Sequence, residues 1–226
     1  MGNKKLVVFD VAGTTIRDDD LVSDAFISAF VKHGVRPSKE EVDAVMGMSK
    51  REAVASILKR HAGGGSVDKI HSEFNKLMTK KYYESPIEAM PGAVSTFESL
   101  KAAGYCVALD TGFPRNILNI ILEKTEWVKG RVVDAAIAGD EVSSGRPYPY
   151  MIFRLMESLK ISSVSDVVKV GDTLVDVEEG LAAGCGLVVG VTSGTCTREQ
   201  FERSGLNGFK IVDDITKLPG LLGVGT

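Results

Sequence analysis

The chain has 226 residues, 44% of them hydrophobic, which is enough to bury one substantial core and a smaller second domain. Its 27 lysines and arginines nearly balance 30 aspartates and glutamates, and the formal charge of -3 argues against nucleic acid or an anionic membrane as a partner. No apolar run approaches the roughly 20 residues that span a bilayer, and Asp10 interrupts the first apolar stretch too early for a signal peptide. The three cysteines, Cys106, Cys185 and Cys196, lack metal-ligand spacing, so we expect a reducing cytoplasm.

The order of predicted elements indicates two domains. A strand ends at Asp10, and residues from about 20 to 85 then favour helices only, at 21–32, 39–46, 50–60 and 67–83. After residue 91, helices predicted at 93–103, 115–124, 148–159, 174–183 and 197–204 alternate with strands at 106–109, 134–137, 167–170, 187–191 and 209–212. Such alternation is typical of an α/β, Rossmann-like fold with a mainly parallel sheet between helices. We predict a Rossmann-like core formed by residues 1–18 and 88–226, and an inserted helical cap domain, 19–87.

The first strand delivers a carboxylate, Asp10, into a Gly-Thr turn. Such a carboxylate is a candidate nucleophile, and the backbone N–H groups of the turn can face an anion. An acid two residues after Asp10 could protonate an oxygen leaving group, but Ala12 stands there. Help for the leaving group must therefore come from elsewhere in the chain.

Three further predicted strands lead into segments that carry reactive groups, and ligands gather at the carboxyl ends of parallel strands. These segments are Asp110-Thr111-Gly112, Gly145-Arg146-Pro147-Tyr148-Pro149 and Gly171-Asp172-Thr173, the last followed by Asp176. Three carboxylates meeting in one crevice would repel one another without a countercharge, and a Mg²⁺ ion held by oxygen ligands would supply it. A nucleophile, a divalent cation and a fixed arginine are the parts that phosphoryl transfer needs.

These segments resemble the haloacid dehalogenase superfamily, and within it the phosphonoacetaldehyde hydrolase (phosphonatase) family, over essentially the whole chain. The narrower resemblance rests on D-V-A-G-T-T at 10–15, M-G-M-S-K at 46–50, T-G-F at 111–113, G-R-P-Y-P at 145–149 and K-V-G-D-T at 169–173. The first and fourth blocks are distinctive, because ordinary phosphatases of the superfamily usually carry Asp where Ala12 stands and Lys where Arg146 stands.

The resemblance implies roles for individual residues. Asp10 would attack phosphorus, and its carboxylate, the carbonyl of Ala12 and Asp172 would hold Mg²⁺. Arg146 would steady the nucleophile and the phosphoryl oxygens, and Lys50 would reach in from the cap. The other implied site residues are Gly13, Thr111, Gly112 and Met46, which together with Ala12 would bind substrate or phosphate, and Asp176, Thr173 and Asp110, which would support them from behind.

The role of Lys50 also follows from chemistry. Cleavage of a C–P bond expels a carbanion, and an amine that condenses with a neighbouring aldehyde creates an iminium that accepts the electrons. A partly dry cap close to other cations would lower the pKa of Lys50 and so supply the neutral amine. We therefore predict Mg²⁺-dependent hydrolysis of phosphonoacetaldehyde, or a close analogue, to acetaldehyde and phosphate, through an aspartyl-phosphate on Asp10 and a Schiff base on Lys50.

Two positions depart from the phosphonatase pattern. Ala53 stands where the family carries a histidine three residues after the cap lysine, so that another group must move the proton during imine formation. Asp110 stands where a phosphate-binding threonine is usual, which is acceptable only if its charge points away from the phosphate or pairs with a cation. The candidates for the proton transfer are water, Lys50 itself, His33, His61 and His71.

Two other functions stay open. In a phosphatase acting on a small phosphate monoester, such as a phosphoglycolate phosphatase-like enzyme, Lys50 would only bind substrate. In a non-catalytic binding protein the cap would be an interaction surface, and Asp110 would be a mark of lost activity. For an enzyme we expect a small phosphonate or phosphate substrate, and the resemblance suggests a homodimer formed through the cap.

Overall fold

A parallel β-sheet forms the centre of the protein. The computed structural model describes residues 5–17, 21–45, 48–61, 65–127 and 131–224. The strands are β1 (Lys5–Phe9), β2 (Tyr105–Thr111), β3 (Ala135–Ala138), β4 (Val167–Gly171), β5 (Leu187–Val191) and β6 (Lys210–Val212). They pair in the order β3-β2-β1-β4-β5-β6, and every pairing is parallel. The predicted Rossmann-like sheet is confirmed.

Helices cover both faces of this sheet. The later ones are α5 (Ala93–Ala102), α6 (Arg115–Lys124), α7 (Tyr150–Leu159), α8 (Leu174–Ala183), α9 (Arg198–Arg203) and α10 (Leu218–Leu221). Because side chains alternate along a strand, Val7 and Phe9 of β1 face the core shared with α5 and α6, whereas Leu6 and Val8 face the core shared with α7. No helix within the described segments combines the length and the apolar character needed to cross a membrane.

Between β1 and β2 the chain forms α1 (Leu21–Lys32), α2 (Lys39–Asp43), α3 (Lys50–Arg60) and α4 (Val67–Glu84). α4 packs against α1 and α3, and α2 packs against α1. Between α1 and α4, the ring centroid of Phe26 lies 5.3 Å from that of Phe30 and 5.0 Å from that of Phe74. The segment that leads from β1 into the helical insertion is hydrogen-bonded to the segment that leads out of it, and the N–H of Arg17 donates to the carbonyl of Glu88. The two chain segments that connect the helical insertion to the sheet therefore lie side by side.

Some element ends differ from those predicted. β2 continues to Thr111, not to residue 109, because β3 pairs with it over its last four residues; Asp110 is thus part of the strand, not of the turn after it. α7 begins at Tyr150 instead of 148, because a residue before a proline, such as Tyr148, disfavours helical conformation. α2 ends at Asp43 and residues 44 and 45 form a turn, so the predicted helix is too long, while residue 46 is outside the described residues. The short helix α10 was not predicted.

Candidate active site

Two carboxylates leave the sheet side by side. Asp10 directly follows β1 and Asp172 directly follows β4, and these two strands are neighbours. Thr173 then caps α8, and its backbone N–H donates to the carboxylate of Asp176 at 3.2 Å. Carboxylate oxygens of Asp10, Asp172 and Asp176 consequently lie within 4.8 Å of one another. The strand order reverses at β1, which is where ligands bind in open α/β sheets.

Two glycines lie so close to the carboxylate of Asp172 that neither position has room for a side chain. A Cβ atom on Gly13 would lie 2.4 Å from Oδ2 of Asp172, and one on Gly194 would lie 2.2 Å from it. The N–H of Thr195 donates to the same oxygen at 2.7 Å, and Thr14 Oγ1 donates to Oδ1 at 3.2 Å. These contacts fix Asp172 in place. The contributions of Gly194 and Thr195 come from the loop after β5, which our sequence reasoning did not single out.

One cleft joins most of the predicted site residues. Its described lining is Asp10, Ala12, Val22, Lys50, Thr111, Gly112, Phe113, Arg146, Asp172, Thr173, Asp176 and Thr195. Lys50, the first residue of α3, is 7% exposed, which is low for a lysine. Of the other predicted residues, Gly13 lies against Asp172, Asp110 is buried and is not part of the described lining, and Met46 is outside the described residues. The helical insertion and the sheet therefore both contribute to the cleft.

Arg146 is surrounded by carboxylates. Its Nη1 lies 2.7 Å from Oδ1 of Asp10 and 2.8 Å from Oδ1 of Asp176. Its Nε donates to Oε2 of Glu179 at 3.0 Å, and its Nη2 donates to both the side chain and the backbone carbonyl of Asp110. Burial alone would lower the pKa of Arg146, but these negative charges outweigh it and hold that pKa well above its usual range. The guanidinium is therefore a permanent positive charge beside Asp10.

The charge of Asp110 is compatible with a nearby phosphate site because this carboxylate pairs with two cations. It is fully buried and contacts both Arg146 and Lys169. Lys169 Nζ also lies 2.9 Å from Oε2 of Glu179 and 3.2 Å from Oδ1 of Asp176. Lys169 stands in the K-V-G-D-T block at 169–173 but was given no role from the sequence, and Glu179 was not identified as a site residue. A signal was available for Lys169, because a charged residue inside an apolar buried strand is rare unless it is paired.

Negative charge exceeds positive charge in this region. Burial, together with repulsion from Asp176, raises the pKa of Asp10 well above its usual range, and the same two causes raise the pKa of Asp172 to about 6. Burial and repulsion from Asp110 raise the pKa of Glu179 to about 8. Burial also acts on Asp110, but its cationic neighbours outweigh it and lower the pKa of that carboxyl. Clustered carboxylates that resist ionisation fit a divalent cation with a preference for oxygen ligands.

The histidines do not take part in this arrangement. Ala53 is fully buried one turn after Lys50 in α3, so no titratable side chain stands at that position. His61 contacts Glu41 at 3.1 Å, while His33 and His71 lie beside hollows on the surface of α4. The described lining of the Asp10 cleft contains none of the three.

A family model for haloacid dehalogenase-like hydrolases matches residues 4–184 of the chain. The chain belongs to this family. This hydrolase is 34% identical over 196 residues to a bifunctional phosphonoacetaldehyde hydrolase/aminoethylphosphonate transaminase of Clostridioides difficile (strain 630), an alignment that covers 80% of the chain but only 30% of that protein. It is 31% identical over 218 residues to the phosphonoacetaldehyde hydrolase of Parabacteroides distasonis (strain ATCC 8503), which covers 86% of the chain and 80% of the relative.

The fold of the hydrolase is also found in solved structures. The crystal structure of a phosphonoacetaldehyde hydrolase-like protein from Oleispira antarctica superposes with a TM-score of 0.83 at 22% identity, covering 98% of this chain and 92% of the other. At that identity the likeness supports the architecture alone.

Proposed function

We propose that this hydrolase cleaves the C–P bond of phosphonoacetaldehyde, or of a close α-phosphono-carbonyl compound, to give acetaldehyde and phosphate. The observation that carries the proposal is that a buried lysine, Lys50, and the carboxylate of Asp10 line the same cleft. Ala12 lines it too and offers no acid for an oxygen leaving group. The cavity among these residues is narrow, about 40 Å³, and is compatible only with a small substrate.

Lys50 is suited to form a Schiff base. It begins α3, its side chain is buried, and it lines the same cleft as Asp10. Its neighbour Ser49 lies against the loop that carries Arg146, since a Cβ atom on Gly145 would be 3.3 Å from Cβ of Ser49. In the proposed first step the amine of Lys50 attacks the aldehyde carbon, and loss of water gives an iminium.

Asp10 is the proposed nucleophile of the second step. Arg146 holds Oδ1 of Asp10, so the orientation of the carboxylate is restricted before substrate binds. Asp10 attacks phosphorus, the C–P bond breaks, and its electron pair passes to the iminium, which becomes an enamine on Lys50. Water then hydrolyses the aspartyl-phosphate to phosphate. Protonation of the enamine at carbon, followed by hydrolysis, releases acetaldehyde and the free amine.

We assign the divalent cation as Mg²⁺. The carboxylates of Asp10 and Asp172 and the carbonyl of Ala12 would hold it, with Asp176 and Thr173 behind them. When bound, the ion supplies positive charge that offsets the repulsion between a carboxylate and a phosphoryl group. The phosphoryl and substrate contacts are assigned to Gly13, Thr111, Gly112 and Met46, in addition to Ala12 and Arg146.

The same proposal includes the organisation of the chain. Residues 1–18 and 88–226 would form the catalytic core, and 19–87 would form the cap that brings Lys50 to the substrate. Each of the three cysteines is a free thiol, which is compatible with the expected cytoplasmic location. A homodimer formed through the cap stays part of the proposal.

A second candidate is hydrolysis of a small phosphate monoester. The buried Ala53 favours it, because no side chain at that position can shuttle a proton to an imine on Lys50. Asp10 would still form an aspartyl-phosphate, and Lys50 would bind the substrate as an ammonium ion.

A phosphate-release screen separates these functions. Purified protein with MgCl₂ is given phosphonoacetaldehyde and a panel of phosphate monoesters, and each reaction is repeated with Lys50→Ala and Lys59→Ala. Lys59 is an exposed lysine of the same helix and serves as the matched control. We expect phosphonoacetaldehyde to be the preferred substrate and Lys50→Ala alone to abolish its turnover. Preference for a monoester that Lys50→Ala still hydrolyses would reject C–P cleavage, and release that is absent or survives Asp10→Ala would reject catalysis at this site.

A further inference from the structure

A buried group of charges adjoins Arg146 and does not line the described cleft. It consists of Asp110, Lys169 and Glu179, which are each 0% exposed and absent from the described cleft lining. The proposed reaction uses neither Lys169 nor Glu179. Three fully buried ionisable side chains are costly to a fold unless they have a function or are well paired.

Glu179 and Asp110 contact the guanidinium of Arg146 at separate nitrogen atoms. Glu179 accepts from Nε at 3.0 Å, and the backbone carbonyl of Asp110 accepts from Nη2 at 3.0 Å. Nη1 is then the nitrogen turned to the nucleophile, 2.7 Å from Asp10. Because the guanidinium is planar and rigid, fixing Nε and Nη2 also fixes the direction of Nη1.

Lys169 joins the two carboxylates that hold Arg146. Its Nζ lies 2.9 Å from Oε2 of Glu179, the same oxygen that accepts from Arg146, and it also donates to Asp110. Its own stem is fixed by close packing of α8 on β4, since a Cβ atom on Gly180 would lie 2.9 Å from Cβ of Lys169. The position of Arg146 is thereby tied to the sheet itself.

We propose that Glu179 and Lys169 are positioning residues for the reaction at Asp10: together with Asp110 they hold Arg146 so that its Nη1 faces the nucleophile. The inference rests on the proposed role of Asp10. It also gives Asp110 a function, because the residue that departs from the family pattern supplies part of the support for Arg146.

The test compares Glu179→Ala, Glu179→Gln and Glu178→Gln. Glu178 precedes Glu179 in α8, and no described contact joins it to this group, so it is the matched control. We expect Glu179→Ala to lower kcat about 100-fold with little change in KM, since misplacement of a supporting group by about 1 Å has that effect. Glu179→Gln keeps an acceptor for Nε and should recover most of the rate. Substrate is whichever compound the wild-type protein hydrolyses, so rejection of C–P cleavage does not prevent the comparison.

A second readout does not depend on turnover. In the ¹⁵N-labelled protein, the Nε–H of Arg146 should give a signal protected from solvent exchange, assigned by its disappearance in Arg146→Lys. Glu179→Ala should shift or lose this signal while the melting temperature stays close to that of Glu178→Gln, because Arg146 and Lys169 keep other carboxylate partners. An unchanged Arg146 signal, a wild-type kcat in Glu179→Ala, or a loss of rate that merely follows a lowered melting temperature would overturn the proposal.

Discussion

Arg146 and Asp10 form a buried ion pair, with Nη1 of the arginine 2.7 Å from Oδ1 of the aspartate and the arginine side chain 2% exposed. The two residues are 136 positions apart in sequence and meet because the loop after β3 folds over the end of β1. The same guanidinium contacts Glu179 and Asp110 through its other nitrogens. A single side chain thus links the proposed nucleophile to this buried group of charges.

The first prediction follows from this geometry. In Arg146→Lys, a single ammonium group cannot reach Asp10, Asp110 and Glu179 together, although the charge is kept. We expect kcat to fall by about 10²–10³, the usual cost of removing one positioned donor from an active site. Steady-state phosphate release measures it. Arg154→Lys, at an exposed site in α7, is the control and should behave as wild type. Near-normal turnover by Arg146→Lys would show that simultaneous contact of the guanidinium with Asp10, Asp110 and Glu179 is not needed for the reaction.

The second prediction concerns pH and metal. The pKa of Asp172 is raised to about 6 without metal, by burial first and then by Asp176. A protonated carboxyl cannot hold the ion, so Mg²⁺ affinity should fall as the pH drops through about 6, by up to about tenfold per pH unit below it. For the metal-free protein the sign is opposite: the folded state binds the extra proton, so this group's contribution to stability decreases as pH rises from about 4 to 6.

Thermal unfolding with and without MgCl₂ between pH 5 and pH 8 measures both effects. The increase in melting temperature caused by MgCl₂ should be largest above pH 6 and shrink below it. An increase that is independent of pH, or that is unchanged in Asp172→Asn, would exclude Asp172 as a ligand.

The third prediction concerns the loop after β5. In Gly194→Ala the new methyl group would lie 2.2 Å from Oδ2 of Asp172 and 2.6 Å from the carbonyl of Gly13, so one of them must move. We expect Mg²⁺ affinity to fall about 10–100-fold, as happens when groups that orient a metal ligand are changed. Mg²⁺ titration by calorimetry measures the change. Gly220→Ala, where a Cβ atom meets nothing within 4 Å, is the control, and equal affinities in the two variants would contradict the account.

The fourth prediction concerns the only cation that the described residues place within β4. Lys169→Met leaves Asp110, Glu179 and Asp176 with one positive partner fewer in a buried region. We expect the free energy of unfolding to fall by about 3–5 kcal/mol, the usual effect of breaking a buried pair. Urea denaturation measures it against Lys160→Met, a substitution outside this group just after α7. A loss below that of the control would mean that Lys169 is not paired as the structure describes.

Much of the fold and of the candidate site could be predicted from the order in which apolar strands, each ending in polar residues, follow one another along the chain. That pattern gave the parallel sheet, the helical insertion, and the presence of Asp10, Thr111 and Asp172 at one edge. The supports of Arg146 could not be predicted in the same way. Lys169 is 59 residues from Asp110, and Glu179 is 33 residues from Arg146, so their pairing depends on how β4 and α8 pack.

The helical insertion shows the same limit. Apolar spacing predicted α3, but not that its N-cap Ser49 lies against the loop at Gly145 or that Lys50 lines the cleft with Asp10. Periodicity assigns a residue to a face of a helix and does not determine which other part of the chain that helix end will contact.

Borohydride trapping tests the central claim most directly. Wild-type protein, Lys50→Arg and Lys59→Arg are each incubated with phosphonoacetaldehyde, MgCl₂ and sodium borohydride, digested, and mapped by mass spectrometry. We predict reductive alkylation of Lys50, with loss of activity, in the wild type and in Lys59→Arg, and neither turnover nor this modification in Lys50→Arg. Phosphate release from phosphonoacetaldehyde that leaves Lys50 unmodified and persists in Lys50→Arg would contradict the Schiff-base route.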